Sequence, residues 1–277
     1  MDATSRMITS RFLASGGCRI AVCCLIAVVV QGCTWLGAPA HSPQTKAAFE
    51  LVNAGSELLI RGRKQQALNK FDAAVTAAPS SLEVYERIIH VLYAAGMHRE
   101  NAGYIVQAIN IPPKPPGAAR QLDRLRDSEL YLVLGDTFWQ LDLLELSQGA
   151  YRQAIFLNDR NATAYNDLGY HYAKAGIRLD EALELTQRAV ELQPRNGYFV
   201  DSLGWAYFQL GKHKRALELL KTAAELSPSE PEIRYHLGRA FESVGNVQAA
   251  RLEYRKTLCL KPTFAEAKHR MGRLGSR

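Results

Sequence analysis

Apolar residues along the body of the chain recur at helical spacing, in amphipathic segments of roughly a dozen residues. The stretch from Asp201 to Leu220, DSLGWAYFQLGKHKRALELL, contains two such segments separated at Gly211. Neither segment can bury its apolar face alone, so each must pack on a neighbour. Alternating Val, Ile and Thr runs bounded by turns, which would indicate strands, do not occur in the sequence after residue 48. The pattern predicts an all-α chain of paired helices.

Small and aromatic residues recur in these helices with a fixed period of 34 or 35 residues. The small residue is the Gly of a Leu-Gly or Met-Gly pair, at Leu134-Gly135, Leu168-Gly169, Leu203-Gly204, Leu237-Gly238 and Met271-Gly272. An aromatic residue follows the first four glycines by three positions, at Phe138, Tyr172, Tyr207 and Phe241. Three of the units close with a proline, at Pro194, Pro228 and Pro262. A constant period of this length predicts a stacked array of similar units.

This pattern resembles the tetratricopeptide repeat (TPR), a helix–turn–helix unit with L-G-x-x-Y, A-x-x-x-F and P at fixed places. The resemblance implies a TPR α-solenoid, a right-handed superhelix of helix–turn–helix repeats that ends in a C-terminal capping helix. In the unit quoted above, Gly204 would let the second helix approach closely, and Ala216 would be its small counterpart on that helix. Gly211 would end the first helix.

The repeat register divides the body of the chain into four parts. Two degenerate TPR units occupy residues 48–115, and a linker or helix extension occupies residues 116–127. Four better-matching units follow at residues 128–264, and a capping helix with a short tail occupies residues 265–277. A polar terminal cap is expected of a solenoid, because the last unit would otherwise expose its apolar side.

The N-terminal residues have a different character. Arg6, Arg11 and Arg19 precede an apolar run from Ile20 to Val30. The run is too short to span a bilayer, which needs about 20 residues. A basic segment followed by a short apolar segment is typical of a secretory signal peptide, in which Met7 could be the true start.

The residues that follow the apolar run, Val30-Gln31-Gly32-Cys33, resemble the lipobox of bacterial lipoproteins. The resemblance implies a signal peptide at residues 1–32, lipidation of Cys33 and a flexible tether at residues 33–47. Thr34, which is not aspartate, favours the outer membrane of a two-membrane bacterium, with the protein facing the periplasm. Two alternatives stay open: cleavage after Ala40, which would release a soluble secreted protein, and a retained N-terminal anchor.

Composition limits the chemistry that the chain can perform. Apart from the cysteines of the N-terminal segment, only Cys259 remains, so no disulfide framework is predicted. No CxxC or HxxxH pair suggests a metal site, and no phosphate loop or nucleophile elbow follows a strand. The net charge of +7 could favour acidic partners or anionic lipid, whereas the export signal argues against nucleic acid. We therefore predict no catalytic residue, no metal, no cofactor and no enzymatic activity.

The TPR resemblance implies that the first helices line a concave groove. Aromatic residues are dense at the positions that would face it, and such side chains bury a large area at a low entropic cost. The predicted partner-binding residues are Trp139, Asn166, Tyr170, Tyr198, Asp201, Trp205, Phe208, Tyr235 and Arg239. His171 and His236, on the same helices, are predicted to be groove or surface residues. Alternatively, the aromatic residues only pack adjacent repeats together.

Two functions are compatible with these features. The first is a membrane-anchored TPR scaffold that binds a protein partner in its groove. Its architecture resembles that of lipoproteins that assist assembly of type IV or Tad pili and secretins. The second is a non-catalytic TPR accessory of an exopolysaccharide or other envelope biosynthesis system. A fold alone does not decide between them.

Overall fold

A computed structural model describes residues 42–111 and 119–275 of the 277-residue chain. These ranges contain thirteen α-helices and no strand, which confirms the predicted all-α class. The chain divides into two compact units, residues 1–113 and 114–277. The predicted signal peptide, Cys33 and most of the predicted tether lie outside the described residues.

The first unit contains two helical hairpins, formed by α1 (Pro43–Ile60) with α2 (Lys64–Ala77) and α3 (Leu82–Ala94) with α4 (His98–Ile109). Helix α1 begins inside the predicted tether, five residues before the predicted first repeat. The reason is local, because the Ser42 side chain accepts a hydrogen bond from the Thr45 N–H and Pro43 occupies the first turn.

The second unit contains nine helices in its described residues. In chain order they are α5 (Ala119–Gln140), α6 (Leu144–Leu157), α7 (Ala162–Ala175), α8 (Leu179–Leu192), α9 (Gly197–Gln209), α10 (His213–Leu226), α11 (Pro231–Ser243), α12 (Val247–Leu260) and α13 (Ala265–Gly275). Helices α5, α7, α9 and α11 are the first helices of four hairpins, and each packs on the helix that follows it. Helix α9 also packs on α7 and α11, and α13 packs on α12. A continuous apolar core therefore runs from hairpin to hairpin.

Left-handed residues end the first helices of this unit. Gly176, Gly211 and Gly245 have φ angles of 69°, 74° and 82°, a conformation that glycine adopts without steric strain. Asp142, with φ 57°, has this role in the turn after α5. Arg178, with φ 47°, is a second left-handed residue in the turn after α7, where the repeat step is 35 residues.

The Leu-Gly glycines lie where two helices touch. A Cβ atom on Gly135 would lie 2.6 Å from Cε1 of Tyr151, and one on Gly204 would lie 2.8 Å from Cγ of Leu220. Ala216, the predicted small counterpart of Gly204 on the second helix, is fully buried, and the side chains nearest to Gly204 are those of Leu220 and Leu219. Helices α9 and α10 are joined by a short turn at Gly211, and Gly204 is far enough from that turn to reach Leu220, one helical turn beyond Ala216.

None of the helices within residues 42–111 and 119–275 combines the length and the apolar character that crossing a bilayer requires.

Candidate partner-binding face

The nine predicted groove residues lie on four successive first helices, α5, α7, α9 and α11. We call the surface that carries them the inner face. Four members are partly exposed, namely Trp139, Tyr170, Tyr198 and Arg239. The other five are at least nine-tenths buried, namely Asn166, Asp201, Trp205, Phe208 and Tyr235. The exposed members can contact a partner directly, whereas the buried members support them.

Trp205 and Phe208 form an aromatic stack that belongs to the interior. Their ring centroids lie 4.8 Å apart with the planes 5° from parallel, and the Trp205 ring also stacks on His236 of α11 at 4.1 Å. The Arg239 guanidinium lies over both rings, 5.2 Å from the Phe208 centroid and 5.9 Å from that of Trp205. For Trp205 and Phe208, the alternative that aromatic residues pack adjacent repeats agrees with the geometry. Arg239, which is partly exposed and lies over both rings, is the part of this cluster that a partner can reach.

A buried ion pair lies next to the aromatic stack. Nδ1 of His236 and Oδ2 of Asp201 are 2.8 Å apart, and both side chains are almost fully enclosed. Burial alone would lower the pKa of His236, but the charge and the hydrogen bond of Asp201 raise it above its ordinary value. His236 is therefore a buried partner of Asp201 and does not lie on the surface. The repeat pattern did not reveal this pair, because it gives the helix neighbours without the side-chain contacts.

A hydrogen bond connects two hairpins that are not adjacent in sequence order. The Tyr170 hydroxyl on α7 donates to Oε1 of Glu232 on α11 at 2.8 Å. Helix α9 and its hairpin lie between these two helices in the chain. The bond fixes the orientation of the Tyr170 ring on the inner face.

Two carboxylates lie one helical turn before the rings through which α5 and α7 meet: Asp136 precedes Trp139 by three residues, Asp167 precedes His171 by four, and those two rings are stacked. Asp136 accepts a hydrogen bond from the Tyr151 hydroxyl at 2.6 Å, and Asp167 accepts one from Nδ2 of Asn166 at 2.9 Å. Burial, and then the charge of Asp167, raise the pKa of Asp136 well above its usual range. Burial also raises the pKa of Asp167 to about 6. The two carboxylates therefore resist being charged together.

Trp139 and His171 lie at the α5–α7 end of the inner face, as the two carboxylates do. Their rings are stacked, with centroids 3.6 Å apart and planes 6° from parallel. Burial, assisted by the charge of Lys174, lowers the pKa of His171 to about 3, so the imidazole is neutral at physiological pH. The prediction that His171 faces the groove or the surface agrees with its partial exposure.

The raised pKa of Asp167 predicts a pH-dependent effect of replacing it with asparagine. A group whose pKa is raised by folding contributes stability below its unfolded pKa of about 3.9, and this contribution is lost as the pH rises through the folded value. Asp167→Asn should therefore raise the free energy of unfolding at pH 7.5 by roughly 1–3 kcal/mol. The melting temperature should rise with it. At pH 4 the variant and the wild type should melt together.

Thermal unfolding followed by circular dichroism at both pH values measures this difference. Asp159→Asn is the matched control, because Asp159 is exposed and its removal changes the net charge equally. A variant that melts with the wild type at pH 7.5 would contradict a raised pKa of Asp167.

The described residues offer little for catalysis by a metal. No group of three or more His, Cys, Asp or Glu side chains in residues 42–111 and 119–275 could hold a metal ion. Two polar contacts of the inner face join different helices, the pair of Asp201 with His236 and the hydrogen bond from Tyr170 to Glu232. Such an arrangement supports binding through contact area and charge.

Family models match two parts of the second unit. Residues 132–197 match a model described as tetratricopeptide repeat, and residues 204–245 match one described as TPR repeat. Neither model indicates a catalytic family.

The curated relatives share only part of their length with this chain. The BBSome complex member BBS4 of Bos taurus is 26% identical over 157 residues, which cover 57% of this chain and 28% of that protein. The same protein of Mus musculus is 25% identical over 150 residues, covering 54% of this chain and 26% of the relative. The chain thus spans little more than a quarter of the length of these relatives.

Solved structures share the fold at low sequence identity. The Cut9–Hcn1 hetero-tetramer of APC/C has a TM-score of 0.65 at 16% identity, covering 92% of this chain and 45% of the matched chain. MamA from Desulfovibrio magneticus RS-1 has a TM-score of 0.52 at 17% identity, covering 66% of this chain and 97% of the matched chain. YrrB, a TPR protein with an unusual peptide-binding site, has a TM-score of 0.50 at 17% identity, covering 72% of this chain and 96% of the matched chain. This chain therefore contains tetratricopeptide repeats and folds as an α-solenoid of the TPR type.

Proposed function

We propose that this chain is a membrane-anchored scaffold that holds a segment of a protein partner against its inner face. The observation that supports this function is the row of partly exposed side chains on consecutive first helices, Trp139, Tyr170, Tyr198 and Arg239. Aromatic and arginine side chains of this kind provide most of the binding energy in protein interfaces. The row crosses four hairpins, a length that suits an extended or helical segment.

The exposed residues of this row are held in place before a partner arrives. Trp139 is stacked on His171, Tyr170 is hydrogen-bonded to Glu232, and Arg239 lies over a buried aromatic stack. A side chain that is already fixed loses little conformational entropy on binding, so more of its contact energy appears as affinity. The peptide-binding site named for YrrB is consistent with this use of the fold, although that likeness by itself concerns the fold alone.

The membrane part of the proposal rests on the N-terminal sequence. Arginines, a short apolar run and Val30-Gln31-Gly32-Cys33 follow in the order expected of a lipoprotein signal. Lipid on Cys33 would place the repeats in the bacterial cell envelope, facing the periplasm and on the outer membrane where two membranes exist. Cleavage after Ala40, with release of a soluble protein, is the alternative. The process served is then assembly of an envelope complex, such as a type IV or Tad pilus or a secretion system.

Alanine at two exposed positions of the inner face tests the binding surface. Trp139→Ala combined with Arg239→Ala should lower recovery of crosslinked partner at least tenfold. The two substitutions remove side chains that would contact the partner at opposite ends of the row. The measurement is crosslinking in the intact envelope, followed by purification of the full chain and quantitative mass spectrometry. Recovery of pilus or secretin subunits would support the proposed pathway, whereas polymer-synthesis proteins would favour the accessory function.

Phe156→Ala combined with Arg255→Ala is the matched control. It also removes one aromatic residue and one arginine, but both are exposed on second helices, and Phe156 is 72% exposed. Melting temperatures of both variants show whether the fold is intact. Equal partner recovery by the inner-face variant and the control would exclude the inner face as the binding surface.

A further inference from the structure

The carboxylate pair of the inner face lacks a counter-charge. Asp201 is paired with His236 at 2.8 Å, and Glu242 is paired with Arg270 at 3.2 Å. In the part of the chain that the structure describes, neither Asp136 nor Asp167 has a Lys, Arg or His nitrogen within 4.0 Å. Two neighbouring acids without a cation destabilise the charged state of both, so the folded protein holds them at an energetic disadvantage.

A buried acceptor lies beside the same carboxylates. Asn166 is only 7% exposed, and its Oδ1 receives no hydrogen bond. Nδ2 of the same amide donates to Asp167, so the Asn166 amide lies directly beside that carboxylate. Asp136 receives one hydrogen bond, from Tyr151. The remaining capacity of the cluster is therefore for hydrogen-bond donors, and a ligand that carries several N–H groups and a positive charge would satisfy it.

An accessible aromatic ring, Trp139, shares a helix face with Asp136 and stacks on His171 of α7, one helical turn after Asp167. Trp139 follows Asp136 by three residues on α5, so the two side chains are neighbours on the helix surface. Asp136, Asp167 and Trp139 are all partly exposed, which leaves them within reach of a group that arrives along the inner face. The neutral His171 beneath Trp139 adds no competing positive charge. An indole beside two carboxylates is suited to a guanidinium or an ammonium group.

We infer that Asp136, Asp167 and Asn166 form a receptor for a cationic side chain of the partner segment. A guanidinium fits better than an ammonium, because it carries five N–H donors and a flat face that can lie on the Trp139 indole. The inference rests on the proposed use of the inner face, and it specifies what the partner must carry: an arginine, or less favourably a lysine, at the α5–α7 end of that face.

Binding of defined peptides to the full chain tests this receptor. An array of random twelve-residue peptides is probed with the wild-type protein, and each binding peptide is resynthesised with arginine replaced by citrulline or lysine by norleucine. Citrulline keeps the shape of arginine but has no charge. We expect binding peptides to contain arginine or lysine, and the neutral versions to bind at least tenfold more weakly. Resynthesis with lysine in place of arginine measures the preference between the two cations.

Asp136→Asn combined with Asp167→Asn is the variant that removes the receptor charge. Asparagine can still accept the hydrogen bonds from Tyr151 and Asn166, so the fold should be retained. This variant should bind the arginine and citrulline peptides with affinities that agree within twofold. Asp159→Asn, which removes one exposed charge elsewhere, should keep the tenfold preference of the wild type.

The outcomes separate this inference from the proposed function. Peptides that bind the wild type equally with arginine or citrulline, and bind more weakly after the Trp139→Ala and Arg239→Ala changes, overturn the receptor and leave the inner face as the binding surface. Binding that is unaffected by those two changes overturns the proposed function as well. Failure of a folded wild type to bind any peptide overturns both.

A second measurement reports on the receptor directly. Carboxyl-carbon NMR of the full chain follows the titration of Asp167 with and without Nα-acetyl-arginine methylamide as the probe. A guanidinium in the receptor favours the charged carboxylate, so the pKa of Asp167 should fall from its raised value. The citrulline analogue should leave it unchanged. An Asp167 titration that is the same with excess arginine probe as without it would contradict the receptor.

Discussion

Replacing Gly204 with leucine should destabilise the second unit by on the order of 1–3 kcal/mol or more. The new Cβ atom would lie 2.8 Å from Cγ and 3.0 Å from Cδ2 of Leu220, and 3.3 Å from Cβ of Leu219. Leu220 is fully buried in the core that joins the hairpins, so it has no free space into which to move. Helices α9 and α10 would therefore have to separate. The melting temperature of the full chain and its urea midpoint measure the loss.

Gly149→Leu is the matched control for this change. Gly149 also lies inside a helix, α6, but a Cβ atom at this position would meet nothing within 4 Å. Because glycine is about 0.8–1.0 kcal/mol less favourable than alanine inside a helix and leucine ranks next to alanine, this variant should be as stable as the wild type or more stable. Wild-type stability of the Gly204→Leu variant would show that the packing of α9 on α10 is wrong.

Replacing Cys33 with alanine should abolish lipid attachment completely. In the proposed lipoprotein the Cys33 thiol is the only point at which diacylglycerol can be added, so its loss leaves no intermediate level of modification. Metabolic labelling with a fatty acid should then give no signal, and the chain should no longer fractionate as a lipid-anchored protein. Two or more acyl chains hold a protein firmly to a bilayer, whereas a polypeptide without them has only weak surface contacts.

Cys259→Ala provides the control for this experiment. Cys259 is an exposed free thiol on α12, and its replacement should leave fatty-acid labelling unchanged. Mass analysis of the mature N-terminus of the wild type separates a start at Cys33 from a start after Ala40. Labelling that persists in the Cys33→Ala variant would contradict the lipobox interpretation.

The repeat architecture could be predicted from the sequence because a few positions allow only one type of residue. Gly135 and Gly204 must be small where two helices touch, and Gly211 must adopt a left-handed conformation, so these residues mark the period directly. The start of α1 could not be placed in the same way. It depends on the local cap formed by Ser42, which lies outside the repeat pattern.

The details of the inner face were less accessible to sequence reasoning. The pattern assigned Trp205 and Phe208 to the groove, but the positions of neighbouring rings decide that both are covered. The contact of His236 with Asp201 joins residues on two different helices, and the repeat period carries no information about rotamers. Asp136 and Asp167 occupy different positions of the repeat. Asp136 directly follows Gly135, whereas Asp167 precedes Gly169 by two residues. An alignment of repeats against each other would not place them together.

The hydrogen bond from Tyr170 to Glu232 has a consequence for how the array loses its structure. Linear arrays are usually treated as chains of elements coupled only to the next element, so that melting can begin anywhere and spread one step at a time. Here a link skips over the hairpin of α9 and α10 and joins the hairpins on either side of it. One hydrogen bond contributes only about 0.5–1.5 kcal/mol net. Unfolding of either outer hairpin loses this contact together with its nearest-neighbour contacts, so the link couples the α7 and α11 hairpins directly.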